Sequence, residues 1–81
     1  MNVRVQFYAQ LRDVAGKSDS TVDIPANGTV SDLLHELYQK KPSLRSHDKT
    51  ILVGAGLEFV GRDYIIKPNE TISIMPPVQG G

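Results

Sequence analysis

The one chemically distinctive group in this sequence lies at its end, where the chain reads Pro76, Pro77, Val78, Gln79, Gly80, Gly81. Gly80 and Gly81 carry no side chains. A tail ending in them can enter a tunnel in a second protein that excludes every larger residue, and can take backbone angles that other residues avoid. The remaining handle is the carboxylate of Gly81. A carboxylate is a poor electrophile because its charge repels nucleophiles. Joined to AMP as a mixed anhydride it gains a good leaving group, and sulfur or an amine can then attack the carbonyl carbon. The tail thus reads as the substrate of a second enzyme; the alternative is a frayed, inert terminus. Pro76 and Pro77 fix their backbones in an extended form and lack the N–H that a sheet requires. They end the preceding strand and direct residues 76–81 outward, with a reach of about 20 Å at roughly 3.3 Å per residue.

Other chemistries find little support. The sequence contains no cysteine, which removes disulfides, thiolate catalysis, cysteine-based zinc sites and persulfide carriage together. His35 and His47 are far apart in sequence and match no metal spacing, so both read as surface histidines and no metal is expected. The glycines of "GAG" (residues 54–56) and "VGR" (residues 60–62) lack the phosphate-loop pattern and read as a turn or bulge. Glu58 and Asp63 have no burial that would raise a carboxyl pKa. Tyr8, Tyr38 and Tyr64 are too scattered for a base-stacking platform. Nine basic and nine acidic residues cancel to a net charge of zero, so nucleic-acid binding has no electrostatic footprint. Nothing approaches the roughly 20 apolar residues of a membrane span, and the opening "MNVRVQFYAQ" is no signal peptide. The absence of cysteine is compatible with a cytoplasmic location.

The elements that must carry the tail are legible. The 81 residues, 40% of them hydrophobic, suffice for one small domain. Val3, Val5 and Phe7 alternate with polar residues as a half-buried strand. Leu11 and Val14 sit one helical turn apart, with Gly16 as a stop. Val22 and Ile24 mark a second strand ended by Pro25, and residues 15–18 suggest a hairpin between the two. "NGTVSDLLHELYQKKP" is the main helix: Thr29 caps it, Asp32 supplies the short form of a capping box, and Val30, Leu33, Leu34, Leu37 and Tyr38 form one apolar face. Lys40 and Lys41 fall at its end, where cations are favourable. Residues 42–49 read as a loop. Ile51 to Val53 is a strand broken by Gly54 and Gly56, another lies around Leu57 to Val60, and "KPNE" is a turn. "TISIM" is a final strand with Ile72 and Ile74 inward. One amphipathic helix must bury its face on one sheet, which gives an α+β roll. The β-grasp arrangement, about five strands in a mixed sheet with the first and last side by side, is expected, with a domain over residues 1–75 and a tail over 76–81.

"VQFYAQLRDVAG" near the start and "TISIMPPVQGG" at the end resemble the family of small sulfur-carrier subunits of molybdopterin synthase, ubiquitin-like relatives of the ThiS group. The resemblance covers essentially the whole chain, and "PPVQGG" is its most diagnostic part. It implies a β-grasp fold and activation of Gly81 by an ATP-using adenylyltransferase of the ubiquitin-activating type. The adenylate then becomes a thiocarboxylate. Residues Pro76, Pro77, Val78, Gln79 and Gly80 would insert with Gly81 into the large synthase subunit, which holds the catalytic residues. There sulfur passes to cyclic pyranopterin monophosphate. Two small subunits flanking a dimer of large ones would make a heterotetramer. The chain itself is implied to bind no cofactor; ATP is used by the activating partner. Gln79 stands where the family more often has serine or threonine. Carriage of sulfur for thiamine thiazole, isopeptide modification of proteins, and a non-covalent interaction domain are the competing readings.

The sheet must also present a partner surface. By alternation Met75 lies opposite the inward pair Ile72 and Ile74 and faces outward beside the tail, where an adaptable methionine suits docking. Phe59 and Leu52 are weaker docking residues, with core positions as their alternative.

Overall fold

The alternation of Val3, Val5 and Phe7 with polar residues builds strand β1 (Asn2–Phe7) in a computed structural model that describes residues 1–77. All three side chains are buried. A short helix, α1 (Gln10–Ala15), follows and buries Leu11 and Ala15. Gly16 ends it at φ 79°, its N–H donating to the carbonyls of Arg12 and Asp13. This left-handed position carries no Cβ penalty for glycine. Strand β2 (Asp19–Asp23) returns antiparallel to β1, with Val3 opposite Val22. The expected hairpin is therefore an antiparallel pair whose connection contains α1, not a tight turn. The apolar spacing of Leu11 and Ala15 explains why: the connection contributes to the core.

Helix α2 (Val30–Lys40) begins with a complete capping box. The Thr29 N–H donates to Asp32 Oδ2 at 2.9 Å, and the Asp32 N–H donates to Thr29 Oγ1 at 3.3 Å. The aspartate is thus long enough to close the box. Val30, Leu33, Leu34, Leu37 and Tyr38 are all buried, as the 3.6-residue period requires. Residues 42–47, expected as a loop, instead form a 3-10 helix (Pro42–His47) that buries Leu44 completely. Proline at its first position pre-sets the backbone angle, and a single apolar residue per turn suffices to dock it.

Strands β3 (Leu52–Ala55), β4 (Glu58–Val60) and β5 (Thr71–Met75) complete a sheet of order β2-β1-β5-β3-β4. The pair β1 and β5 is parallel and central; the other pairs are antiparallel. Ile72 and Ile74 are fully buried beside Val5 and Phe7, so the middle of the sheet is the middle of the core. Contrary to the expectation from sequence, Gly54 does not break β3. It pairs with Ser73 on one side and Phe59 on the other, and the left-handed turn residue is Gly56 at φ 64°. Asn69, at φ 65°, serves the same purpose in the turn before β5.

A side-chain cluster around Asp48 clasps the helical layer. Tyr38 donates its hydroxyl to Asp48 Oδ1 at 2.6 Å. Arg62 donates to the same oxygen at 2.9 Å and to the Asp48 carbonyl at 2.7 Å. The side-chain hydrogen bonds from Tyr38 and then Arg62 hold the Asp48 carboxyl below its ordinary value. Burial, then Asp48, pushes the Tyr38 phenol up. The signs are opposite in consequence. Asp48 contributes stability above its unfolded value of 3.8 that is lost as pH falls through the lower folded value. Tyr38 contributes below its unfolded value of 10.0, and that contribution is lost as pH rises. The Asp48 side chain is 45% exposed, so water damps the pairing. We expect Asp48→Asn to lower stability at neutral pH by under about 1 kcal/mol. The penalty relative to the parent shrinks as pH falls below 3.8 and through the lowered Asp48 value, as the carboxyl takes up its proton. Thermal melts of both proteins across that range test this.

Candidate functional site

Two residues at the end of β5 lead out of the fold. Met75 pairs with Leu52 on β3, while Ile74 pairs with Phe7 on β1. The Tyr8 N–H then donates to the Ile74 carbonyl at 3.1 Å. The chain therefore leaves the sheet from its centre, between the end of β1 and the start of β3. Pro76 is half-buried at this exit and Pro77 is exposed. Neither belongs to a strand, as their missing N–H groups dictate. Val78, Gln79, Gly80 and Gly81, the residues assigned to insertion and activation, lie outside the described residues.

The face of the sheet turned away from α2 is divided by chemistry. Toward β2 it is polar: Arg4 donates to Asp19 Oδ2 at 3.0 Å, with Thr21 and Asp23 exposed nearby. Toward β4 it is largely apolar, with Glu58 and Ser73 its polar members. Tyr8, Gly54, Leu57, Phe59, Ser73 and Met75 line a depression of about 250 Å³ beside the tail exit. Gly54 makes its floor. A Cβ there would stand 3.1 Å from Met75 Cε, so the absent side chain is what lets Met75 lie across the strand.

Of the three docking residues named from sequence, Met75 and Phe59 share this depression, and Leu52 stands next to Met75 in the register. Phe59 is 66% exposed and not part of the core. Leu52 is half-buried. Two residues escaped the sequence reading. Leu57 sits at the β3–β4 turn with its side chain wholly in solvent, and Tyr8 closes the other side of the depression. Leu57 follows Gly56, and an apolar residue after a turn glycine is a signal that could have been used. Among the described residues no group of three or more histidines, cysteines or acidic residues could hold a metal ion. None of the described helices is long and apolar enough to cross a membrane.

A mixed sheet on one long helix, with an apolar outer patch and a chain end leaving the central strand, defines a ubiquitin-like β-grasp domain. The chain belongs to the ThiS family, which it matches over residues 5–81. It is 31% identical to the molybdopterin synthase sulfur carrier subunit of Dictyostelium discoideum over 81 residues, 96% of this chain and 94% of the relative. Among solved structures it resembles the small archaeal modifier protein 1 of Haloferax volcanii, with a TM-score of 0.85 and 26% identity over 95% of this chain and 98% of that one. It also shares its fold with a chain in the complex of subunits 1 and 2 of the molybdopterin-converting factor from Helicobacter pylori. That match has a TM-score of 0.69 and 23% identity, covering both chains completely.

Proposed function

We propose that this chain is the sulfur carrier of a molybdopterin synthase. The observation that carries the reading is the full-length similarity to sulfur carrier subunits, joined to a Gly-Gly sequence separated by four residues from the central strand. The Gly81 carboxylate attacks the α-phosphate of ATP on an adenylyltransferase of the ubiquitin-activating type and releases pyrophosphate. Hydrosulfide then displaces AMP at the carbonyl carbon and leaves a thiocarboxylate; where the donor is a thiol persulfide, the acyl disulfide first formed is reduced by a second thiol, which leaves joined to the donor as a disulfide. Docked through the apolar face, the domain feeds residues 76–81 into the large subunit, where the thiocarboxylate sulfur attacks cyclic pyranopterin monophosphate. Water restores the carboxylate. The chain holds no catalytic side chain in this scheme; it supplies a reacting atom and its position. We assign the work to the cytoplasm and to a heterotetramer with two large subunits.

A second reading, covalent protein modification, draws on the likeness to the small archaeal modifier protein. The two share activation and differ in the nucleophile. Thiocarboxylated chain mixed with the large synthase subunit and cyclic pyranopterin monophosphate is expected to yield molybdopterin in step with loss of the thiocarboxylate. A chain that instead becomes resistant to separation from other proteins under denaturing conditions, with no molybdopterin formed, would replace the carrier reading with the modifier.

A further inference from the structure

On the helical side, opposite the face that carries the tail exit, an open trough of about 450 Å³ lies between α2 and the 3-10 helix. Its rim is cationic, with Arg45, Lys49 and Arg62, and His35 also lines it. Asp48 is the one carboxylate in its lining, and it is already bound by Tyr38 and Arg62. Arg45 and Lys49 have no carboxylate partner among the described residues. The chain as a whole is neutral, so the charge here is a local concentration. We propose that this trough binds a carboxylate-rich segment of a protein partner, at a surface separate from the apolar sheet face.

Three features favour an extended acidic segment over a compact phosphate. A phosphate site of ordinary strength uses free N–H groups at a helix start. Here those groups are spent: Val30 N–H donates to the Tyr64 carbonyl, Ser31 to the Arg62 carbonyl, Asp32 to Thr29 Oγ1 and Leu33 to the Thr29 carbonyl. The cations also stand on three separate stretches: the 3-10 helix, the residues after it and the segment after β4. In an extended peptide, side chains on one face recur about every 7 Å, a spacing that serves dispersed cations. Finally, Arg62 is held by Asp48 before any ligand arrives, which lowers the ordering cost of binding. The buried Leu34 and Tyr38 give the trough an apolar floor for the peptide's methylene groups.

This inference does not rest on the sulfur-carrier reading. It is tested by titrating hexaglutamate into the isotope-labelled full chain and following backbone amide shifts. Saturable shifts are expected at Ser31, His35, Ser46 and Lys49, with Gly54, Phe59 and Ser73 on the sheet unmoved. Arg45→Glu with Lys49→Glu is expected to weaken binding by about tenfold, the effect of removing two exposed charge pairs. The pair Arg45→Gln and Lys49→Gln gives a smaller loss and guards against misfolding, since both side chains are exposed. Unchanged affinity in the charge-reversed variant, or no saturable shift, overturns the proposal. So does inorganic phosphate that binds the same residues as tightly at matched ionic strength, which would make the trough a small-anion site.

Discussion

Removal of Gly81 is expected to abolish sulfur loading while leaving the fold intact. Incubated with ATP, a sulfur donor and the adenylyltransferase, the full chain gains the mass difference between oxygen and sulfur; the shortened chain does not. The shortened chain still ends in a carboxylate, that of Gly80, so the loss is one of position. One residue of extended backbone is about 3.3 Å, and displacement of a reacting atom by only about 1 Å can cost roughly a hundredfold. Gly81→Ala keeps the reach and adds one methyl group. It is expected to retain loading at a reduced rate, because the methyl must enter a tunnel shaped for glycine. The last core residue, Ile74, precedes both changes, so neither alters the melting temperature. Loading of the shortened chain at the parent rate would show that the terminal position is not what the activating enzyme reads, and the carrier mechanism would fail with it.

The sequence displays the core more fully than it displays the surface, for a physical reason. Burial imposes a period. Val3, Val5 and Phe7 at a period of two, and Val30, Leu33, Leu34, Leu37 and Tyr38 at 3.6, all lie where alternation and helical pitch put them. The 3-10 helix is different. Only Leu44 in it is buried, and one apolar residue defines no period. Gly54 misleads because glycine in a strand commonly marks a break. Its role here is cross-strand, at the floor beneath Met75, and local sequence does not record cross-strand neighbours. The apolar patch is similarly split among three stretches, at Tyr8, at Leu57 and Phe59, and at Met75. Alternation indicates that Met75 faces outward, but β4 has three residues, too few for alternation to tell the face of Phe59.

That exposed phenylalanine carries the largest expected effect on partner binding. Phe59→Glu is predicted to weaken association with the large synthase subunit by about a hundredfold. Burying a phenylalanine side chain is worth about 1.5–3 kcal/mol, and two-thirds of the residue remains to be covered. Loss of that contact alone gives roughly 5- to 30-fold, and a glutamate carboxylate trapped against Met75 and Leu57 adds an unpaired charge. Stability is expected to stay within about 0.5 kcal/mol, since an exposed position on a short strand leaves the core untouched. Met75→Glu should weaken binding too, with some loss of stability because Met75 is half-buried and packs over Gly54. Thr21→Glu, on β2 at the polar end of the same region, serves as the control and should change affinity by less than about threefold. Isothermal titration with each variant separates the cases. If Phe59→Glu and Thr21→Glu bind alike, the apolar depression is not the docking surface, and the tail must be delivered from another face of the domain.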